Sequence, residues 1–518
     1  MAKAVQGSTF TFRNLIEGKF VYVDKTQYLY NLVQPGSGVY FLSRPRRFGK
    51  SLMLSTLEEI FLGNRTLFKG LWIDESDYDW QTYPVVRIDF SLEQVSSATA
   101  LQDFLGSIVE ATAKRYGVKL TETNYQRKFR QLLELLSEEQ KVVILIDEYD
   151  KPMIDNLDNL PEALRIRDTL RGFYAVIKGM DRYLRFVFIT GISKFSKVGV
   201  FSAMNNLTDL TMNPRFATAL GITEEEMADY FHEHIAEFAA HEGMTSEQLA
   251  AKIRHWYNGF CFVEDSPAVY NPFSTLQLFY HQRFATYWFE SGTPYFLIKL
   301  IKERNYEIEP LEQLEVPEIS FSTYELESLE LTPLLFQTGY LTIKGFQRDR
   351  FGEIYTLSYP NYEVKNSFLT YLLRAYDSVD FTMSESHLRR LLFSLEKQDL
   401  PQFFNVLAVF FANVDYSLYI DHEKYYQTIF YLIFKLIGLR IDAEVHTNAG
   451  RIDCVIDLAE RTFLFEFKLN KSAAEALQQI KDHDYARKYR LAGKPITLIG
   501  ANFDTQTRTV IEWVAEEA

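Results

Sequence analysis

The chain has 518 residues and a formal net charge of −14. That length suits roughly two to four domains, and the acidic balance excludes a broadly basic nucleic-acid coat while leaving room for a local basic groove. Two cysteines, Cys261 and Cys454, are too few for a disulfide framework or a structural zinc site. Hydrophobic residues at 47% and charged residues at 24% are the proportions of a globular protein. Gln427 and Lys435 interrupt the most suspicious apolar run, Tyr425 to Ile437, so no membrane span is expected. Residues 1–9 hold no apolar signal core, and a cytoplasmic location is expected.

In chain order, Tyr22-Val23-Asp24-Lys25-Thr26 comes first, followed by a helical pattern through Leu29, Leu32 and Val33. Asp24 is an N-cap candidate. The segment reads either as a capped helix packed on its neighbour or as a strap beside a nucleotide base. Gly38 to Leu42 reads as a buried strand and Leu52 to Phe61 as a helix, with Arg44-Pro45-Arg46-Arg47-Phe48-Gly49-Lys50-Ser51 between them. Strand, loop, Gly-Lys-Ser and helix form the phosphate-binding arrangement. Backbone N–H groups wrap phosphate oxygens there, and the helix N-terminus adds partial positive charge. Lys50 is expected to reach the outer phosphates and Ser51 to hold Mg²⁺. Arg44 stands where the usual loop opens with a glycine, whose backbone freedom a side chain removes. One reading gives a loop arginine to the γ-phosphate; the plainer one is a basic loop that happens to contain Gly-Lys-Ser.

Val85 to Phe90 is a strand candidate, and Ala98 to Tyr116 and Thr123 to Leu136 read as helices. Val142 to Ile146 is an apolar strand running into Asp147-Glu148, the pattern of a Walker B site. There Asp147 is expected to hold Mg²⁺ and Glu148 to orient or deprotonate the attacking water. Alone, the string could equally end a core strand in solvated acids; behind Gly-Lys-Ser it is far more specific. Glu162 to Met180 reads as a helix and Arg185 to Ile189 as a strand, ending in Thr190-Gly191-Ile192-Ser193-Lys194. A strand between the phosphate-loop strand and the Walker B strand carries a polar sensor at this end; Thr190, Ser193 and Lys194 are the candidates. Leu207 to Met212 is the next strand expected. The alternation implies a mostly parallel sheet with ligand at its carboxyl edge.

These four segments, 22–26, 44–51, 145–150 and 190–194, together resemble the bacterial AAA-ATPase-like family over roughly Phe10 to Thr223. Arg-Pro-Arg-Arg-Phe-Gly-Lys-Ser is a distinctive version of the loop in that family, so the resemblance implies that Arg44 is a family trait. It implies an ATP-binding domain over residues 1–222, with Arg46, Arg47, Gly49, Lys50, Ser51 and Asp147 at the nucleotide. It leaves turnover open.

Thr223 to Ala240 opens like a capping box, and Ser246 to Tyr257 is another helix. Trp256 to Phe260 and Tyr270 to Ser274 read as turns, and Leu334 to Ile343 and Ile354 to Leu357 as strands of a small sheet. No chemistry is visible here; residues 223–383 are expected to be a mostly helical connector or lid.

From Ser384 a helix-rich stretch leads to His422 and an apolar helix ending near Ile437. Arg440 to His446 reads as a strand, Thr447 to Gly450 as a hairpin turn, and Arg451 to Leu458 and Thr462 to Leu469 as two further strands. Alternation places Leu464, Glu466 and Lys468 on one face and Phe463, Phe465 and Phe467 on the other. If the last two strands pair, Asp453, Glu466 and Lys468 converge. Two carboxylates and a lysine suit metal-assisted phosphodiester cleavage: the acids hold Mg²⁺ through oxygen, the metal activates water and stabilises phosphate charge, and the lysine positions or helps deprotonate the water. The alternative is a simple ion pair of Glu466 with Lys468 on a sheet edge. Roughly His422 to Phe503 resembles the PD-(D/E)XK nuclease superfamily, in the branch fused behind these ATPase-like domains. Asp453 matches its first acid, Glu466 and Lys468 its Glu-x-Lys and Gln479 a family glutamine; Glu423, with Glu444 as rival, matches a further acid. Ile452 stands where a proline usually precedes the first acid. The resemblance implies a nuclease-like domain over 384–518 that uses Mg²⁺ or Mn²⁺.

The whole reads as an α/β chain: a P-loop NTPase with an AAA-like parallel sheet, a mostly helical connector, and a carboxyl-terminal α/β PD-(D/E)XK nuclease-like domain. ATP and DNA or RNA are the expected partners, and the family-level role is defence against phage or mobile DNA. Two rivals stand beside it: an ATP-regulated switch that binds nucleic acid without cutting it, and an ATPase motor without cleavage. Arg451, Arg487, Arg490, Lys481 and Lys488 are the local basic groups near the nuclease motif.

Overall fold

In a computed structural model of the chain, the described residues are 3–518 except 8, 10, 194–200, 202–203, 205, 291–296, 299, 302–308, 322–329, 351, 377–380, 413–421, 441–443, 448–451, 492 and 508. They form two compact units, Met1–Thr293 with Gln313–Glu363, and Pro294–Glu312 with Val364–Ala518. The backbone therefore passes between the units three times.

The first unit begins with α1 (Phe12–Glu17) and α2 (Thr26–Val33), then β1 (Val39–Ser43) and α3 (Lys50–Phe61). It continues through β2 (Val85–Asp89), α4 (Ala98–Arg115), α5 (Tyr125–Leu136), β3 (Val142–Asp147), α6 (Lys151–Ile154), α7 (Leu160–Gly179), β4 (Leu184–Gly191) and β5 (Thr208–Asp209). These five strands form one parallel sheet in the order β2-β3-β4-β1-β5. Every residue of β3 and β4 is buried, as expected where crossover helices cover both faces of a parallel sheet. The order sets β4 between β1 and β3 and gathers the carboxyl ends of all three at one edge. β5 is shorter than expected because the Asp209 carboxylate accepts the Thr211 amide at 2.9 Å and turns the chain out of the sheet.

Four helices follow: α8 (Glu224–Glu242), α9 (Ser246–Tyr257), α10 (Pro272–His281) and α11 (Tyr287–Glu290). Thr223 and Glu226 close the expected capping box on α8. Tyr270 to Ser274 is a helix start and not a free turn: the Asn271 side chain accepts the Ser274 amide at 3.0 Å, with Pro272 in the first helical position. The unit ends with β6 (Leu314–Pro317), α12 (Leu331–Thr338), β7 (Thr342–Asp349) and β8 (Gly352–Ser358), the strands forming an antiparallel sheet in the order β6-β8-β7. The strand expected over Leu334 to Ile343 is therefore a correction. Its first half is a helix with nearly every residue buried, and a short apolar run has no period to separate helix from strand.

The second unit includes α13 (Tyr362–Tyr376), whose first two residues belong to the first unit, and α14 (Phe381–Glu396), α15 (Leu400–Ala412) and α16 (His422–Arg440). Then come β9 (Glu444–Thr447), β10 (Ile452–Asp457), β11 (Thr462–Leu469), α17 (Ala473–Asp482), α18 (Arg487–Arg490), β12 (Ile496–Asp504) and β13 (Thr509–Glu517). The strand expected from Arg440 begins later, because α16 extends through that residue. The sheet order is β13-β12-β11-β10-β9, with only β11 and β12 parallel. On one face Phe465 and Phe467 meet Phe403 of α15 and Phe430 of α16, with ring centroids 5.5 and 4.6 Å apart. On the other, Leu464 and Leu498 pack with Ile480 and Tyr489.

α17 lies directly on the backbone of β12. A Cβ on Gly500 would stand 2.3 Å from the Ala473 carbonyl oxygen and 2.5 Å from the Leu477 nitrogen. Gly500→Ala should therefore destabilise the second unit by about 1–3 kcal/mol through overpacking, read as a lowered melting transition. Wild-type melting would contradict this packing.

Candidate functional site

The first candidate site lies at the carboxyl edge of the parallel sheet. β1 ends at Ser43, and the loop then needs left-handed backbone at Arg47 (φ 64°) and Gly49 (φ 92°) before α3 starts at Lys50. A Cβ on Gly49 would meet nothing closer than 3.8 Å, so this glycine is required for its φ and not for space. Arg47 takes the same region without being a glycine; its guanidinium lies over the Phe273 ring at 4.7 Å.

Arg44 turns inward. Its Nη1 donates to the carbonyls of Ser43 at 2.9 Å and Thr211 at 2.8 Å, and its Nη2 to that of Phe216 at 3.2 Å. The guanidinium also sits 4.3 Å from the centre of the Phe262 ring. Burial pulls its pKa down to about 9, against the attraction of Asp209. Of the three arginines read as donors to a γ-phosphate, Arg44 is thus removed. Lys50 is also buried, and its Nζ donates to the carbonyls of Arg44 and Pro45, each at 2.9 Å. Desolvation lowers its pKa, while Glu148, Asp147 and Asp150 oppose that shift.

Asp147 ends β3 fully buried. Its Oδ1 accepts from Thr190 Oγ1 at 2.6 Å and from the Glu148 amide at 3.1 Å. Its Oδ2 lies 3.5 Å from Arg87 Nη2 and takes no hydrogen bond among the described residues. A buried carboxylate oxygen without a hydrogen bond among the described residues suits an oxygen-ligated cation such as Mg²⁺. Glu148 has φ 50° and lines the cavity beside Lys50; desolvation raises its pKa against the pull of Lys50. That is the direction a general base needs.

Asp150 is a buried acid that the motif reading passed over. It accepts from the amides of Ile192 at 3.0 Å and Ser193 at 2.7 Å and from Ser193 Oγ at 2.5 Å. Burial raises its pKa, with the Ser193 hydrogen bonds opposing. Tyr149 donates to the Ser193 carbonyl at 3.1 Å. Of the three sensor candidates, Thr190 therefore meets Asp147, Ser193 meets Asp150, and Lys194 lies outside the described residues.

A cavity of about 590 Å³ opens beside the loop, walled by Arg46 to Met53, Glu148, Tyr22 to Val23, Lys25, Leu220 to Ile222 and Phe273. Pockets of this size hold ligands as large as a nucleotide. The amino-terminal strap packs on its neighbours at this cavity wall. Asp24 accepts from the Thr26 amide and hydroxyl at 2.8 and 2.7 Å, at the start of α2. Lys25 reaches the Thr218 carbonyl at 2.8 Å and Glu226 of α8 at 2.6 Å.

The second candidate site lies in the second unit. Antiparallel register sets Asp453 of β10 opposite Glu466 of β11, and residues directly opposed in such a pair share a face. β11 is the central strand, and Glu466 is 1% exposed, so it is not part of a sheet-edge surface pair. Lys468 Nζ donates to Glu466 Oε1 at 2.9 Å and to Gln479 Oε1 on α17. The side chains of Asp453, Glu423 and Glu444 lie outside the described residues, as do those of Arg451 and Lys488. Among the described residues no group of three or more acidic, histidine or cysteine side chains gathers to hold a metal. The residue types in register, two carboxylic acids, are of the kind that bind a hard cation such as Mg²⁺ or Mn²⁺. Of the basic groups, Lys481 pairs with Glu516 at 2.6 Å and Arg490 with Asp484 at 2.8 Å, while Arg487 is exposed.

A family model described as Predicted AAA-ATPase matches residues 8–201, and one for the PD-(D/E)XK nuclease superfamily matches residues 421–513. An uncharacterized protein in the vnfD 5′ region of Azotobacter chroococcum mcd 1 is 38% identical over 519 residues, covering 98% of this chain and 97% of that protein. Among the described residues no helix is long and apolar enough to cross a membrane.

Arg44→Gly recreates the common loop sequence, but it strips three carbonyls of their buried donor. The first unit should lose about 3 kcal/mol or more in urea unfolding. Unchanged stability would show that Arg44 does not hold the loop.

Proposed function

The chain belongs to the AAA-ATPase-like proteins that carry a carboxyl-terminal PD-(D/E)XK nuclease superfamily domain, and from that premise we propose that it is an ATP-hydrolysing, metal-dependent nuclease acting on DNA or RNA. Residues 1–222 are the ATPase, 223–383 the connector and 384–518 the nuclease. The observation that carries the nuclease reading is the Lys468 ammonium held between Glu466 and Gln479, with Asp453 in register opposite Glu466.

At the first site the loop amides and the N-terminus of α3 cradle the phosphates. Lys50 exchanges the Arg44 and Pro45 carbonyls for phosphate oxygens, and Arg46 and Arg47 add charge at the cavity wall. Ser51 and Asp147 are the Mg²⁺ ligands. Glu148 accepts the proton of the attacking water, and Thr190 holds Asp147 in place. At the second site Asp453 and Glu466 hold the divalent cation. Lys468 orients the attacking water, and Gln479 fixes the ammonium. A bound divalent cation supplies Lewis-acid charge at the phosphate oxygens. The location is cytoplasmic, read from the low cysteine count, and the role in defence against phage or mobile DNA is carried over from the family resemblance.

Purified protein should hydrolyse ATP and cut nucleic acid when Mg²⁺ or Mn²⁺ is present, and chelation should stop both. Lys50→Ala should weaken ATP binding about tenfold or more through loss of a charge-assisted contact. Glu148→Gln should keep ATP bound but slow hydrolysis about a hundredfold. Lys468→Ala should lower cutting about a hundredfold or more while nucleic-acid binding persists, since phosphate contacts elsewhere carry affinity. Binding without cleavage under every condition in the wild type would instead establish the switch.

A further inference from the structure

The phosphate-binding loop is gripped from outside its own sheet. The Trp288 indole Nε1 donates to the Arg46 carbonyl at 3.0 Å, and the Trp288 backbone amide donates to Glu363 Oε1 at 2.8 Å. Glu363 has no exposed surface and also accepts from Ser274 Oγ, at 2.8 Å to Oε2. Ser274 adjoins Phe273, the ring under the Arg47 guanidinium. Beside Trp288, a Cβ on Gly339 would stand 2.7 Å from Pro45 Cγ and 3.4 Å from Trp288 Cζ2.

Glu363 and Trp288 also occupy special places in the chain. Trp288 precedes the first passage between the two units, which falls after Thr293. Glu363 is the last residue before the third passage and lies in the first turn of α13. The Trp288–Glu363 hydrogen bond thus ties two of the three passages together on the side of the first unit, and the same tryptophan holds the nucleotide loop.

We propose that Trp288 and Glu363 are positioning residues that hold the phosphate-binding loop and pass its occupancy to α13, the helix that continues into the nuclease-like unit. The inference rests on the reading of this loop as an ATP site. Seating a triphosphate requires Lys50 to leave the Arg44 and Pro45 carbonyls and the loop amides to turn toward phosphate. The Arg46 peptide moves with them, and its carbonyl is the acceptor of the indole. That motion either breaks the indole bond or carries Trp288 with it, and the Trp288 amide is bound to Glu363. The Trp288 amide and the Ser274 hydroxyl both donate to this buried carboxylate, so a shift of Trp288 is felt at Glu363.

Hydrogen–deuterium exchange on the full chain, with and without ATP·Mg²⁺, tests this. In the wild type, nucleotide should protect residues 44–51 and also change exchange in residues 362–376. Trp288→Phe keeps a ring and removes the donor; it should retain loop protection while the response at 362–376 falls at least about threefold. Glu363→Gln, which keeps the shape but cannot offer two carboxylate oxygens, should give the same loss. A purely structural role would lower melting temperature in both variants and leave the response intact. No loop protection in the wild type overturns the ATP reading itself. Loop protection without a response at 362–376, or a full response in the variants, overturns this inference alone.

Discussion

Arg44 sends its side chain into the protein, where three backbone carbonyls and the face of Phe262 receive it. Other loops of this kind begin with glycine because the backbone must turn freely there. Here the turn is fixed by contact: the guanidinium joins the end of β1 to the segment carrying Thr211 and Phe216. Desolvating a cation is expensive unless its donors are met; the three carbonyls meet Nη1 and Nη2, while the buried Nε takes no hydrogen bond among the described residues, so the arrangement depends on all three staying in place. A pKa of about 9 still leaves the group charged at neutral pH. The cationic surface of the loop is then left to Arg46, Arg47 and Lys50, and Lys50 in turn takes the carbonyl that Arg44 itself provides.

Three acids near that lysine have three different surroundings. Asp147 is fixed by Thr190 and keeps one buried oxygen, 3.5 Å from Arg87, that takes no hydrogen bond among the described residues. Glu148 is turned out of the strand by a left-handed backbone and faces the cavity. Asp150 is consumed by Ile192 and Ser193 and so stitches the end of β4 to the end of β3. Division of labour among neighbouring carboxylates follows from their environments and not from their identity. Within the second unit the same logic applies to Glu466, whose burial on a central strand makes the Lys468 ammonium its natural companion. The acidic total of the chain does not forbid a polyanionic substrate. The Lys481–Glu516 and Arg490–Asp484 pairs are at least partly exposed, and such pairs are worth little, so their cations can be exchanged onto phosphate.

The parts legible in the sequence are those where one strand carries its own signal. The bounds of Thr462–Leu469 follow from a run with phenylalanine at alternate positions between Arg461 and Asn470, the end of β3 at Asp147 follows from an apolar run closed by acids, and the order β1, β4, β3 follows from motif logic. Leu331–Thr338 was not legible as a helix because burial on all sides erases its period. Asn271-Pro272 signals a turn and a helix start equally well until the Ser274 amide is seen to bond Asn271. Asp150, Arg44, Trp288 and Glu363 carry meaning only through partners dozens to hundreds of residues away. No local pattern records such pairs.

A crystal structure of the full chain with a non-hydrolysable ATP analogue and Mn²⁺ tests the central claim, two metal-dependent sites on one chain, most directly. The account predicts a triphosphate along residues 46–51, with Lys50 Nζ moved from the Arg44 and Pro45 carbonyls to phosphate oxygen. It also predicts anomalous Mn²⁺ signal in two places, one at Ser51 and Asp147 and the other at Asp453 and Glu466. A nucleotide bound elsewhere, or no Mn²⁺ at Asp453 and Glu466, would contradict it.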